Sequence, residues 1–443
     1  MSGKRSLNSL NSNPRFCAYT ILNEFADDSI VTDGLGDTLS GYALSDDDKR
    51  LAYELVSGVI RHRDTLDTLI TWYSTSKAKM SKQVRNLARI GIYQIKFCDR
   101  IPDFASVNET VNLANQCGQK KSSGFINALL RSIIRSPEIE SQHKRGLSVV
   151  GHMAYKHSHP EWLIKRWLNQ FDKERLKKIC VFNNIKAPLV IRINPLKTSL
   201  KQQQALLSDA GISCEPSPIH PQCLRVYHAG NITLLPGYNE GFFFVQDDTP
   251  ATLIDLMPVT ADSRILDMCA APGGKTCATA LKLPGTNIIA IDKTSDKIAL
   301  IQSSARRLGI DTISAFAADA ASPESLNTVL GNSTFNRIIV DAPCSNTGVL
   351  RKRPEARWRL KPDDFKRLTK LQMRILETVS PYLTRGGLLL YMTCSIDAAE
   401  NNQLVQKFTA GHPDYGVVVE HLHVPSSPAS GDGGYAALIT RID

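Results

Sequence analysis

Ten cysteines are present without one CxxC pair, and that missing spacing removes the commonest structural zinc sites and the thioredoxin-type redox motif. The thiols are also too scattered for the disulfide framework of a small secreted domain. They read as free groups in a reducing compartment, most of them small buried apolar side chains, with no metal expected. No apolar run approaches the ~20 residues that span a bilayer, so no membrane is expected. Met1 to Arg15 is polar and lacks the apolar stretch of a secretory signal. Its basic, Ser-rich character leaves a transit peptide as the weaker alternative. No heptad, exposed apolar stripe, internal repeat or low-complexity tract stands out, which points to a cytoplasmic monomer. What is there is ordinary for a globular protein: 443 residues, 42% hydrophobic and 22% charged, a length that suggests about three domains. Lys+Arg 53 against Asp+Glu 43 gives a net charge of +10. That suits an anionic partner, and equally a plain basic enzyme.

The chain is organised around Ile265-Leu266-Asp267-Met268-Cys269-Ala270-Ala271-Pro272-Gly273-Gly274-Lys275-Thr276. A short apolar run ends near an acid, passes through a small-residue turn and enters a helical segment. In such a strand–loop–helix unit, backbone N–H groups and the helix dipole face one ligand, and two glycines let the backbone approach it. Gly274-Lys275-Thr276 ends like a P-loop, but a P-loop needs glycine at position 269, where Cys269 stands. GxGxxG is absent too. The loop therefore binds something other than a nucleotide held by its phosphates.

From Asn13 to Ser136 apolar residues recur at helical spacing, as in Leu51, Leu55, Val59 and Phe125, Leu129, Ile133, and predict an all-α bundle of about five or more helices. Glu138 to Arg145 reads as a linker. Helices around Glu161–Asn169 and Lys173–Asn183, a strand at Pro188–Asn194, a helix at Leu200–Ala210 and a second strand at Leu224–Tyr227 suggest a small α+β subdomain. From about Gly237 strands and helices alternate, with strands at 265–268, 287–291, 313–317, 337–340 and 388–392 and a terminal one near 435–439. A capping-type Asp397-x-x-Glu400 opens a late helix. That alternation predicts a doubly wound, mostly parallel α/β sheet. The expected domains are 1–140, 141–236 and 237–443.

Doubly wound folds bind ligands beyond the carboxyl ends of their strands. Asp267, Asp292, Asp319, Asp341 and Cys394 fall at or just after such ends. Asp292 is spaced from the glycine loop as an acid that accepts from a ribose diol, and Asp319 is placed to accept from an adenine amine. Singly each is as readily a helix cap or turn residue; together with the loop they point to an adenosine-bearing cofactor. Cys344, in Asp341-Ala342-Pro343-Cys344, and Cys394, in Thr393-Cys394-Ser395, follow neighbouring strands and so share one edge. Two thiols in polar loops near helix starts are placed for lowered pKa values, although buried free thiols are common.

These three motifs resemble the signatures of the RNA cytosine-C5 methyltransferase family, together with Gln246-Asp247 and Arg192-x-Asn194. The resemblance covers Arg192 to the C-terminus and implies a Rossmann-like fold and S-adenosylmethionine. Ile101-Pro102, Val107 to Val111 and Gly124 to Arg131 resemble the RNA-binding domain of the NusB type. Its fusion to this catalytic domain, with His159-Pro160-Glu161-Trp162, is similar to a bacterial branch of the family whose substrate is 16S ribosomal RNA. Departures are Met268, Asp248-Thr249-Pro250 and Gly434-Tyr435, and the stretch from Phe408 to Gly431 is short.

The resemblance implies Cys394 as nucleophile at cytosine C6 and Cys344 in release of the product, although the sequence by itself leaves the opposite assignment open. Asp341 would meet the cytosine edge or the cofactor. Lys275 would orient either one, or be a helix-start surface lysine. Cofactor contacts are expected along Cys269, Ala270, Ala271, Pro272, Gly273, Gly274 and Lys275 and at Asp292, Asp319 and Asp341. The family pattern implies RNA contacts at Arg192 and Asn194. Arg351, Arg353, Arg357 and Trp358, cations clustered around one aromatic, suit phosphates and an unpaired base, the plain alternative being a solvated basic loop. The same chemistry on tRNA, or a non-catalytic assembly factor, are the other functions compatible with this sequence.

Overall fold

The computed structural model describes residues 11–24, 34–74, 80–227 and 230–442; residues 1–10 of the polar N-terminal segment lie outside them. Two compact units are built, one from Met1–Ile185 with Leu350–Leu360, the other from Lys186–Val349 with Lys361–Asp443.

The first unit is helical: α1 (Pro14–Glu24), α2 (Leu35–Ser40), α3 (Asp46–Arg61), α4 (Arg63–Tyr73), α5 (Lys82–Phe97), α6 (Asp103–Gln116), α7 (Lys120–Arg135), α8 (Pro137–Arg145), α9 (Val149–His157), α10 (Glu161–Leu168) and α11 (Lys173–Phe182). Side-chain caps start several of them. Ser45, Ser81, Ser148 and Asp172 each accept from a backbone N–H in the first turn. One core runs through Leu55, Leu66, Leu87, Ile90, Ile126 and Leu130. α3 and α5 meet at Gly58, where an added Cβ would lie 2.0 Å from the Tyr93 ring, so only glycine permits the approach.

One expectation is corrected here, and one boundary falls differently. The presumed linker 138–145 is α8, whose Glu140 carboxylate accepts from Lys96 (2.9 Å) and the Tyr155 hydroxyl (2.7 Å). It fully buries no residue, so no apolar period betrayed it. The boundary expected at 140 also falls inside the unit, because α9 to α11 belong to it.

In the second unit, β1 (Leu189–Ile193) precedes α12 (Leu200–Asp209), β2 (Cys214–Pro216), β3 (Cys223–Val226) and β4 (Phe243–Val245). These strands form an antiparallel sheet of order β2-β3-β1-β4. β4 pairs with β1, so the boundary expected at 237 cuts through this sheet. After α13 (Asp248–Ile254) come β5 (Ile265–Met268), α14 (Gly274–Ala280), β6 (Ile288–Asp292), α15 (Ser295–Leu308), β7 (Ile313–Ala317), α16 (Pro323–Leu330) and β8 (Phe335–Asp341). α17 (Asp364–Val379), β9 (Leu383–Thr393), α18 (Asn402–Gly411), β10 (Tyr415–His423) and β11 (Gly434–Arg441) complete the unit.

The large sheet has the order β10-β11-β9-β8-β5-β6-β7. β9, β8, β5, β6 and β7 are parallel, and β11 and β10 are added antiparallel. This is the doubly wound, Rossmann-like fold the alternation predicts. The strand order reverses between β5 and β8, and such a switch point opens a crevice beyond the strand ends.

Candidate active site

The loop after β5 is tied down by its own backbone. Ala270 N–H donates to Ile291 O (3.0 Å) and Gly273 N–H to Ala270 O (2.8 Å). Gly273 has φ +98°, and a Cβ there would come 3.2 Å from Ile301 Cα, so the turn packs flat on α15. Cys269 also has positive φ, 58°. Burial first, then the carboxylates of Asp292, Asp341 and Asp267, push its thiol far up, so it stays protonated.

Asp292, at the end of β6, accepts from Ala271 N–H (3.0 Å), Lys293 N–H (2.7 Å) and Lys297 Nζ (2.8 Å). Asp319, beyond β7, accepts from Ala321 N–H (3.0 Å) and pairs with Lys293 (2.9 Å), and these two contacts lead the lowering of its pKa. Asp267 is fully buried; Thr276 donates to Oδ2 (2.6 Å) while Oδ1 has no partner among the described residues. Burial pushes its pKa up to about 7.

Lys275 reaches from the first turn of α14 to Asp341 at the end of β8, at 2.5 Å. Burial opposes its charge, but Asp341, Cys394 and Asp267 outweigh that penalty and raise its pKa. β8 and β9 are parallel neighbours, with Asp341 in register with Met392, which brings the loops that follow them together. Cys344 and Cys394 are half-buried free thiols, and the hydroxyls of the serines that follow them lie 3.2 Å apart. Interaction with Cys394 leads the causes that push Cys344 well above the usual thiol range, followed by burial and Glu400.

Glu400 is the residue sequence reasoning misplaced. It does not cap a helix: α18 begins at Asn402. Its buried carboxylate accepts from Ser345 N–H (2.9 Å), Ser345 Oγ (2.5 Å), Ser395 Oγ (2.6 Å) and Gln372 Nε2 (3.0 Å). Nothing local signals this, since Ser345 lies 55 residues away in sequence.

The expected RNA contacts do not join this site. Arg192 is buried and donates to Gln222 (2.9 Å), Gln246 (3.1 Å) and Asp255 (3.1 Å). Gln246 in turn donates to Gly274 O (3.4 Å), so Arg192 braces the glycine loop from within. Asn194, also buried, donates to Gly241 O and Leu308 O (3.0 Å each) and accepts from Leu196 N–H. Both are corrections: their polar atoms are spent inside the fold.

Segment Leu350–Leu360 belongs to the helical unit rather than to a solvated loop. Arg357 is fully buried there, donating to Ser158 O (2.9 Å), Asn183 O and Asn184 Oδ1 (3.0 Å each). Arg351 is buried with its guanidinium 4.2 Å from the Phe182 ring centre. The Trp358 indole donates to Ile60 O (2.6 Å), and its ring packs on the helical core. Arg353 and Trp358 keep partial exposure.

Asp292, Asp319 and Asp341, each paired with one lysine, and Asp267, bonded by Thr276, are acceptors matched to hydroxyl and amine donors. Asp292 uses three of roughly four acceptor positions on protein donors, and the second oxygen of Asp267 is open. The set fits a methyl donor built on adenosine and carrying an ammonium group.

Comparison with known proteins agrees. Residues 253–438 match the model of the 16S rRNA methyltransferase RsmB/F family, residues 12–135 the NusB family, and residues 159–233 the RsmF/B-like ferredoxin-like domain. Ribosomal RNA small subunit methyltransferase B of Proteus mirabilis (strain HI4320) is 33% identical over 399 residues, 90% of this chain and 92% of that one. The probable ribosomal RNA small subunit methyltransferase B of Bacillus subtilis (strain 168) is 32% identical over 376 residues, 84% and 82% of the two chains. The crystal structure of PH0851 shares the fold, with TM-score 0.80 at 21% identity over 98% of each chain. The chain therefore belongs to the RsmB/F family of methyltransferases, enzymes that use S-adenosylmethionine, with a NusB-like helical region ahead of the catalytic one.

Proposed function

We propose that this protein methylates C5 of a cytosine in 16S ribosomal RNA, in the cytoplasm and as a monomer. The observation that carries the reading is the pair of thiols in adjoining loops beyond β8 and β9, beside the Lys275–Asp341 pair and the glycine turn. The cofactor supplies an electrophilic methyl group; the loop Cys269 to Lys275 with Asp292, Asp319 and Asp341 would hold it.

Cytosine C5 is a weak nucleophile. Addition of the Cys394 thiolate at C6 pushes an electron pair toward C5, which then takes the methyl group. Lys275 engages one oxygen of Asp341, and the other accepts from the exocyclic amine of the base, holding the ring as charge develops. Cys344 first keeps its proton and donates to the Cys394 sulfur, stabilising the thiolate. Once that sulfur is bonded to carbon its charge is gone and with it the main cause raising Cys344. The Cys344 thiol then gives its proton to solvent, and its thiolate takes the C5 proton as the C6–S bond breaks, returning the electron pair to the Cys394 sulfur and aromaticity to the ring. The NusB-like unit would hold a single-stranded or looped target from which the base is turned out.

Cys394→Ala is expected to bind S-adenosylmethionine normally and transfer nothing. Cys344→Ala should accumulate a covalent protein–RNA adduct, visible as an SDS-resistant band. Adduct formation by Cys394→Ala with none from Cys344→Ala would reverse the assignment. Bisulfite sequencing of RNA from a deletion strain identifies the target, and an unchanged 16S pattern would sink the substrate.

A further inference from the structure

Each cysteine of the candidate site is followed by a serine, and both serines meet one buried group. Glu400 takes Ser345 through its N–H and hydroxyl and Ser395 through its hydroxyl, while Gln372 donates to both Glu400 (3.0 Å) and Pro343 O (2.9 Å). Four donors on two oxygens fill the lone-pair sites of a carboxylate, an arrangement that favours the charged form against its burial. Burial raises its pKa, and the serine and glutamine donors pull it back. Around this centre Thr347 Oγ1 lies 3.0 Å from Ser395 Oγ, Gly348 N–H donates to Cys394 O (2.9 Å), and Asn401 Nδ2 donates to Ser395 O (2.9 Å). A buried charge in so many bonds is costly to build and rigid once built.

We propose that Glu400 is a positioning residue that fixes the separation and orientation of the Cys344 and Cys394 thiols, and so couples addition at the ring to release of the product. The proposal rests on the two-thiol reading above. A reaction that uses two sulfurs on one base in turn depends on their spacing, and a misplacement of about 1 Å costs on the order of 100-fold in rate. Glu400, Cys394 and Tyr391 are the titratable groups that face Cys344, with Lys275 beside Cys394. Glu400→Gln keeps the shape, removes the charge, and turns one oxygen into a donor, so two of the four donors lose their acceptor.

The test uses the full-length protein and variants Glu400→Gln, Ser345→Ala and Ser395→Ala. Iodoacetamide modification of Cys344 and Cys394 is followed against pH by peptide mass spectrometry, alongside steady-state transfer to 16S RNA. In the wild type Cys344 should react with the higher midpoint. In Glu400→Gln that midpoint should fall by roughly one pH unit, and kcat should fall on the order of 100-fold with KM for S-adenosylmethionine unchanged. Each serine variant, lacking one arm, should lose about 10-fold in kcat with the cysteine order preserved. Wild-type midpoints and kcat in Glu400→Gln would overturn the proposal. So would a loss of activity matched by loss of folded protein with both midpoints unmoved. If Cys394→Ala still methylates RNA, the two-thiol reading fails, whereas the midpoint shift in Glu400→Gln stands or falls independently.

Discussion

Replacing Arg357 by alanine separates a structural cation from an RNA contact. The guanidinium donates Nη1 to Ser158 O (2.9 Å), Asn184 Oδ1 (3.0 Å) and Arg61 O (3.3 Å), and Nη2 to Asn183 O (3.0 Å) and Leu350 O (3.4 Å). Alanine strips a donor from all five acceptors and opens a cavity. A buried polar group left unsatisfied costs ~1–3 kcal/mol. Against this stands relief of a buried cation, disfavoured first by desolvation and then by Arg61. Balancing several lost bonds against one relieved charge leaves a destabilisation of about 3–5 kcal/mol, the range for breaking a buried charged network. That is a large fraction of the ~5–15 kcal/mol typical of a folded domain. Arg357→Lys restores the charge without the planar fork and should recover only part.

The assay is direct because Trp72, Trp162, Trp167 and Trp358, all four tryptophans of the chain, lie in the helical unit. Tryptophan fluorescence in urea therefore follows that unit. The midpoint should drop in Arg357→Ala, while RNA affinity measured well below the new midpoint stays near wild type. An unchanged urea midpoint with RNA binding weakened at least about tenfold, and the salt slope reduced by about one, would show that the side chain meets phosphate after all.

The remaining predictions concern pH and backbone fit. His62 and His157 are held down to about 3 and about 4, in each case by burial first, against an ordinary 6.5. Their stabilisation is complete above pH 6.5 and is lost as pH falls toward those values. Asp64, pushed up to about 6 by burial, acts in the opposite sense, gaining stability as pH falls from 6 toward 3.8. His159, fully buried, is likewise held well below 6.5 by burial. Three histidines outweigh one acid, so fluorescence-detected urea unfolding should show the helical unit weaker by at least about 3 kcal/mol at pH 4.5 than at pH 7.5; equal stability at both would refute the balance. An added Cβ at Gly348 would sit 2.4 Å from Gly433 O and 2.8 Å from Cys394 O. Gly348→Ala should therefore displace the Cys394 loop and cut methyl transfer at least about tenfold while S-adenosylmethionine affinity, read by calorimetry, holds; wild-type turnover would show that the loop absorbs the methyl group.

The edge of the large sheet was legible because strand alternation leaves little freedom: an acid or thiol just after a parallel strand must lie at the carboxyl end. Asp267, Asp292, Asp319, Asp341, Cys344 and Cys394 were therefore assembled without coordinates. Partners across the chain were not. Asp397-x-x-Glu400 satisfies a local capping pattern, and nothing nearby reveals that Ser345 and Ser395 use the carboxylate instead. Arg192, Arg351 and Arg357 read as surface cations because a guanidinium is buried only when distant groups supply acceptors, here Gln222, Asp255, Ser158 and Asn183. β2 and β4, three residues each, are too short to show alternation. β10 is exposed over most of its length, so burial imposes no pattern on it.

The same comparison explains why the compact units do not follow the expected domain boundaries. Composition marks a boundary where few contacts cross, but here the chain passes between units three times, at 185/186, 349/350 and 360/361. Leu350–Leu360 begins six residues after Cys344, yet its arginine and tryptophan complete the packing of helices nearly 300 positions earlier. A cut anywhere between 185 and 350 therefore leaves the carbonyls of Ser158 and Asn183 facing a place where Arg357 should be. The helical unit is a product of the whole chain, and a stretch that looked like a nucleic-acid loop is part of its core because buried carbonyls without donors demand a cation from elsewhere.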